Sequence, residues 1–220
     1  MFTISPSILS GNLLNLERQL DEIKSFDHLH LDIDDGNFVR GISFGMDTVR
    51  AIAGHTEIVL DAHLEVLNPC DYVKDLCECG VERICAHIEA LPYPSLFLSA
   101  ARRHGAGACG LAVNLKTPVE ALLAYRDQLD YVIFVSVEAD CEGLPFRPGV
   151  LDKIRAARQM LAPGTDIWAD GGISESNLQS VIGAGATGVV VGRAVFGAAD
   201  PAARYRELLN LAERSREERQ

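Results

Sequence analysis

Residues 30–36 of this 220-residue chain read His-Leu-Asp-Ile-Asp-Asp-Gly. Alternate side chains of a strand share one face. His30, Asp32 and Asp34 therefore point one way, and Leu31 and Ile33 the other. An imidazole and two carboxylates on one face are costly to bury without compensation. A divalent metal ion would compensate them. Taken alone, the stretch fits a solvated strand end equally well, so the rest of the chain has to decide between the two.

The chain must supply elements that hold such a stretch in place. Hydrophobic residues make up 48% of it, ample for one core, and the expected organisation is a single domain over residues 1–220. A net charge of −11 argues against a general nucleic-acid or anionic-membrane binder, but leaves room for a small anionic substrate in a locally positive site. No apolar run has the length of a membrane span. The six cysteines are scattered, and Cys77-Glu78-Cys79 has neither zinc-knuckle nor thioredoxin-type spacing. With no signal-peptide pattern at the start, reduced thiols and a cytoplasmic location are expected. The charged stretch 213–220 is expected to fray.

In chain order, strands are expected over 3–9, the 30–36 stretch, 58–64, 82–87, 108–114, 130–137, 166–170 and 188–191. Helices are expected between them, over 12–24, 46–53, 68–80, 94–104, 117–128, 148–160 and 174–182, with a last one after Pro201. Leu13, Leu16, Leu20 and Ile23 have helical spacing behind a capping Asn12. Prolines open several helices, Gly105 closes one, and Ser174 with Glu175 starts another. Several strands are near-continuous apolar runs, as parallel strands covered by helices are. Eight strand–helix units in this length predict an α/β protein with a (β/α)8 TIM barrel. An open doubly wound sheet normally has fewer strands, and gives no reason for polar residues at nearly every strand end.

Active sites of such barrels lie at the C-terminal strand ends. Those ends carry Ser7; His30, Asp32 and Asp34; His63 and Glu65; His87 and Glu89; Asn114; Ser136; Asp170; and Gly192-Arg193. A lone histidine at a strand end is more often structural than a ligand. Together, however, His30, Asp32, His63 and Asp170 make a two-histidine, two-carboxylate site for one divalent metal ion, and the N/O mixture suits zinc, iron or manganese. Asp32 and Asp170 come from strands well apart around the barrel, so they can address opposite faces of one carbon. That is the requirement for inverting a stereocentre by proton exchange, with a Lewis acid on the adjacent carbonyl steadying the enediolate. Gly171-Gly172 and Gly192-Arg193 follow strands seven and eight, where barrels often hold phosphate. Each glycine pair alone reads equally as a turn.

These residues resemble the ribulose-phosphate 3-epimerase family over nearly the whole chain. The resemblance rests on Ile4-Ser5-Pro6-Ser7-Ile8-Leu9, His30-Leu31-Asp32-Ile33-x-Asp35-Gly36, Asp61-x-His63-Leu64 with Asn68-Pro69, Asn114 with Thr117-Pro118, and Asp170-Gly171-Gly172. It implies a metal-dependent isomerase acting on a sugar phosphate. His30, Asp32, His63 and Asp170 would be metal ligands, and Asp32 and Asp170 the acid/base pair. Ser7 would lie near the substrate, Gly171, Gly172 and Gly192 at the phosphate, and the chain would self-associate. The chain also departs from the family pattern. Where the family has three methionines, this chain has Asp34, Glu65 and Val135, which become candidates for substrate specificity. The family's Pro-Gly-Phe-Gly-Gly-Gln loop after strand six is replaced by Glu138-Ala139-Asp140-Cys141-Glu142-Gly143-Leu144-Pro145, where Gly143 survives. Arg193 stands where Ser or Thr is usual. The expected activity is 3-epimerisation of a ketose phosphate, whether a pentulose, hexulose or tetrulose. Two rivals remain. A phosphosugar lyase or decarboxylase is suggested by Arg193 and Lys116, and a non-catalytic sugar-phosphate binder by the altered loop.

Overall fold

The computed structural model describes residues 2–138 and 144–217. Gly143, the expected loop contact, lies outside the described residues. Eight strands run β1 (Thr3–Pro6), β2 (His28–Asp34), β3 (Val59–Glu65), β4 (Arg83–His87), β5 (Ala108–Val113), β6 (Tyr131–Val135), β7 (Asp166–Asp170) and β8 (Gly188–Val191). All ladders are parallel, in the order β1-β8-β7-β6-β5-β4-β3-β2. A parallel bridge between Ser7 and His30 joins the two ends. The sheet therefore closes into the expected (β/α)8 barrel, and Pro6, which cannot donate to a ladder, sits at the end of its strand.

Helices α1 (Leu16–Glu22), α2 (Met46–His55), α3 (Val73–Glu78), α4 (Pro94–His104), α5 (Val150–Met160), α6 (Glu175–Ala184), α7 (Arg193–Phe196) and α8 (Pro201–Glu217) surround it. The outward strand residues Leu29, Leu31 and Ile33 pack against this helical layer in the main core, together with Leu60, Leu64, Phe134 and Val189. Burying each such side chain is worth about 1.5–3 kcal/mol. A second, smaller cluster of Cys85, Ala112, Tyr131, Ile133, Trp168 and Val190 fills the barrel interior. Room for its rings comes from small neighbours: a Cβ on Gly188 would meet the Trp168 indole nitrogen at 2.5 Å, and one on Gly110 would meet the Tyr131 carbonyl at 2.4 Å. The Arg83 guanidinium lies over Tyr131 and Trp168, 4.4 and 4.7 Å from their ring centroids, and pairs with Asp166 at 3.2 Å. Aromatic packing thus plugs the N-terminal end, and polar residues occupy the other end.

Four local differences from the sequence reading have physical causes. Residues 119–128 form a 3₁₀ segment, Val119–Gln128. Its inward residues Val119, Leu122 and Tyr125 recur every third position, which suits the three-residue turn. A 3₁₀ turn, Ile8–Ser10, takes over the end of the expected first strand. The short helix α7 follows β8 directly and was not expected. Finally, α8 continues through Glu217 into the stretch expected to fray. There Ser215 is buried, as is Ala212 just before it, and the Ser215 hydroxyl donates to the Leu211 carbonyl at 2.8 Å.

Candidate active site

The register of β2 and β3 builds the mouth in rungs, pairing His30 with Asp61, Asp32 with His63 and Asp34 with Glu65. In a parallel sheet, paired residues share a face, so all six side chains project inward. On the lowest rung, His30 Nδ1 is hydrogen-bonded to Asp61, whose other oxygen accepts from Ser5 Oγ. When the ring is neutral, this bond sets the proton on Nδ1 and turns the Nε2 lone pair toward the mouth. Nε2 faces Asp32 Oδ1 at 3.1 Å. Ser7 Oγ donates to the second oxygen, Asp32 Oδ2, at 2.5 Å.

His63 Nδ1 lies 3.5 Å from both Asp32 Oδ1 and Asp170 Oδ2. His30, Asp32, His63 and Asp170 each present a ligand atom within 4.8 Å of the others. Both imidazoles are fully buried. His30 Nε2 and both ring nitrogens of His63 have no hydrogen-bond partner. An unsatisfied buried polar atom costs about 1–3 kcal/mol, and a cation accepting these lone pairs removes that cost. Two imidazoles and two carboxylates fit zinc, iron or manganese, and the carboxylates neutralise a dication. The residues fit a divalent ion on both geometry and charge.

The field at this point is strongly polarised. Burial opposes charge on Asp32, yet His30 and His63 hold its carboxyl far below the usual carboxylate range. Burial likewise opposes charge on His30, but Asp61 and Asp32 raise it well above the usual imidazole range. Asp34 behaves in the opposite way: burial and the neighbouring charges of Glu65 and Asp32 push its carboxyl up to about 8. Ser43 holds this strand end, accepting from the Asp34 N–H at 2.9 Å and donating to the Asp32 carbonyl at 2.7 Å.

A second group of side chains lies on the β3–β4 side. His87 Nε2 is 3.1 Å from Glu65 Oε1, and His87 Nδ1 is 3.2 Å from Glu89 Oε2. Glu89 also accepts from the Asn114 N–H at 2.9 Å and from the Thr117 hydroxyl. Burial alone would raise its carboxyl, but His87, Thr117 and the Asn114 N–H lower it to about 2. The His63 and His87 rings stack 4.9 Å apart, and Phe38 covers the His87 ring at 4.8 Å.

Val135 pairs with Asp170 in register and is buried beside it. Gly171 and Gly172 have φ of 97° and 64°, a region open to glycine. A Cβ on Gly172 would sit 2.9 Å from the Phe146 backbone nitrogen, so the far limb of the β6 loop packs on this turn. Gly192 follows β8 against the Ser10 side chain. Arg193 opens α7 and is exposed, as is Lys116. The sequence reading named His87 and Glu89 as strand-end residues but gave them no role, and it left out the Ser5–Asp61 support. The alternations Asp61-x-His63 and His87-x-Glu89 were the available signal, because each places a carboxylate on the face of a histidine.

Fold and mouth define a (β/α)8 barrel with a His/Asp cluster at its C-terminal end that could hold a metal ion. Residues 3–196 match the Ribulose-phosphate 3 epimerase family, and the chain belongs to that family. It is 34% identical over 203 residues to the ribulose-phosphate 3-epimerase, cytoplasmic isoform, of Oryza sativa subsp. japonica, covering 90% of this chain and 89% of the relative. It is 37% identical over 202 residues to the ribulose-phosphate 3-epimerase of Synechocystis sp., covering 89% and 87%. Among solved structures, 3-hexulose-6-phosphate synthase from Salmonella typhimurium superposes with a TM-score of 0.71 at 15% identity, covering 97% of this chain and 99% of that one. Orotidine 5'-phosphate decarboxylase from Pyrococcus horikoshii OT3 gives 0.70 at 15% identity, covering 96% and 99%. These two likenesses concern the fold alone.

Proposed function

We propose that this protein is a 3-epimerase of a ketose phosphate, with Asp32 and Asp170 as the acid/base pair. The observation that carries the reading is the convergence of His30, Asp32, His63 and Asp170 on one point, in a chain whose relatives are ribulose-phosphate 3-epimerases. In the forward direction one aspartate takes the proton from C3. The C3–H electron pair moves into a C2–C3 double bond, and the C2 oxygen gains negative charge. The other aspartate delivers a proton to the opposite face of C3, and the electrons return to the carbonyl. Asp32 is suited to the base role because its environment keeps it ionised and Ser7 fixes its second oxygen. A divalent ion held by His30, Asp32, His63 and Asp170 would supply Lewis-acid polarisation of the carbonyl next to C3.

Gly171-Gly172 and Gly192-Arg193 bind the phosphate in this reading, and Gly143, outside the described residues, stays a substrate-binding candidate. Asp34, Glu65 and Val135 choose among pentulose, hexulose and tetrulose skeletons. The enzyme is placed in the cytoplasm as a self-associating, single-domain protein, in keeping with the rice relative's name and the family resemblance. Among the described residues, no helix is long and apolar enough to cross a membrane. The test is incubation with ribulose 5-phosphate and other ketose phosphates in deuterated water with zinc or manganese. Deuterium at C3 together with the C3 epimer is expected for at least one of them. Absence of both products for every candidate would sink the reading.

A further inference from the structure

The two histidines beside His63 are held in the same way. His30 has a carboxylate behind it on Nδ1, Asp61, and one in front of Nε2, Asp32, at 3.1 Å. His87 has Glu89 behind Nδ1 at 3.2 Å and Glu65 in front of Nε2 at 3.1 Å. A neutral imidazole has one N–H. With that proton on the rear carboxylate, the front lone pair is set against an anionic oxygen. The contact is repulsive unless a second proton or a metal ion lies between the two atoms, and carboxylate-backed histidines are the usual way to orient a metal ligand. His63 stands between the two groups. Its Nδ1 faces Asp32 and Asp170, and its Nε2, fully buried and without a hydrogen-bond partner, faces Glu65 Oε1 at 4.0 Å. His63, Glu65 and His87 each offer a ligand atom within 4.8 Å of the others. Asp34, opposite Glu65 in register, has a buried oxygen without a partner.

We infer that the mouth holds a second divalent transition-metal ion, bound by His63 Nε2, Glu65 and His87 Nε2. It shares the His63 ring with the first ion, and so it rests on the epimerase reading of that first site. With both ions bound, each His63 nitrogen gives a lone pair, and the ring's last N–H proton passes to solvent. The second ion neutralises Glu65, which would otherwise oppose the negative charge that develops on the C2 oxygen.

The test is metal stoichiometry on the full chain, stripped with chelator, titrated calorimetrically with Zn²⁺, desalted and measured by elemental analysis. Two equivalents are expected for the wild type. Glu65→Gln and His87→Gln are expected to keep one, and Asp170→Asn to keep the one held by Glu65 and His87. Circular dichroism confirms that each variant is folded, and Glu65→Met replaces Glu65→Gln if the amide does not fold. A single wild-type equivalent lost in Asp170→Asn but kept in Glu65→Gln would overturn this proposal and leave the epimerase site standing. A single equivalent lost in Glu65→Gln but kept in Asp170→Asn would overturn both the two-ion proposal and the metal site assigned to His30, Asp32, His63 and Asp170. Two equivalents that survive both Glu65→Gln and His87→Gln would also overturn it.

Discussion

The two sides of the barrel mouth use the same device with different backing. On the β2 side, Asp61 anchors His30 from deep in the barrel, where Ser5 supports it. On the β4 side, Glu89 anchors His87 from the rim, where Asn114 and Thr117 of the next loop support it. The first anchor belongs to the strand ladder and the second to a loop. Strand-borne groups hold geometry more tightly than loop-borne ones. In the proposed reaction the deep side suits proton chemistry, which needs fixed distances, and the rim side suits tuning of the substrate's environment.

The largest expected effect falls on the deep side. Asp32→Asn and Asp170→Asn should each lower deuterium incorporation at C3 by about 10²–10⁴-fold, the usual contribution of a placed acid or base. Wild-type exchange in either variant would remove it from the acid/base pair. Next come the anchors. Asp61→Asn should weaken the first Zn²⁺ equivalent by about 10–100-fold, the usual cost of losing a partner behind a ligand, and Glu89→Gln should weaken only the second. If both substitutions weakened the same equivalent, the distinction between the two sides would fail.

The smallest effect lies away from both sides, at the Tyr205 hydroxyl. It donates to Asp27 Oδ2 and accepts from the Asp27 N–H, both at 3.3 Å. Burial pushes this phenol up to about 12. A raised value in the folded state means the stabilisation is complete below the ordinary phenol range near pH 10 and is lost as pH rises toward 12. Tyr205→Phe should cost about 1 kcal/mol at neutral pH by denaturant titration and should flatten the stability loss between those pH values. Metal stoichiometry should not change, and a change there would mean that the mouth senses the packing of α8.

The eight-strand barrel was legible because each strand announced itself locally. The expected bounds of β7, β8 and α4 coincide with those observed, since an apolar run or a Pro–Gly pair marks both ends. The Val119–Gln128 segment was read as an ordinary helix because its three-residue repeat looks helical in sequence. Helix α7 was missed because four residues after Gly192 carry too little periodicity to register. His30 and Asp32 were legible from alternation within one strand. The pairing of Glu65 with His87 was not, because it depends on the register between β3 and β4, which no single strand encodes. The carboxylates that replace methionines were visible in sequence as an oddity. Only the stacked His63 and His87 rings give them a common neighbour.

Tyr131 and Trp168 are fully buried, and with Arg83 stacked over them they fill the N-terminal end of the barrel, which makes the C-terminal mouth the entrance in the proposed reaction. Substrate, metal ion and solvent proton must share that entrance. While a phosphorylated sugar occupies it, the carboxylate that has taken a proton has no easy route to exchange it with water. The fraction of isotope that returns to the sugar instead of washing out therefore acts as a clock for how long the sugar stays.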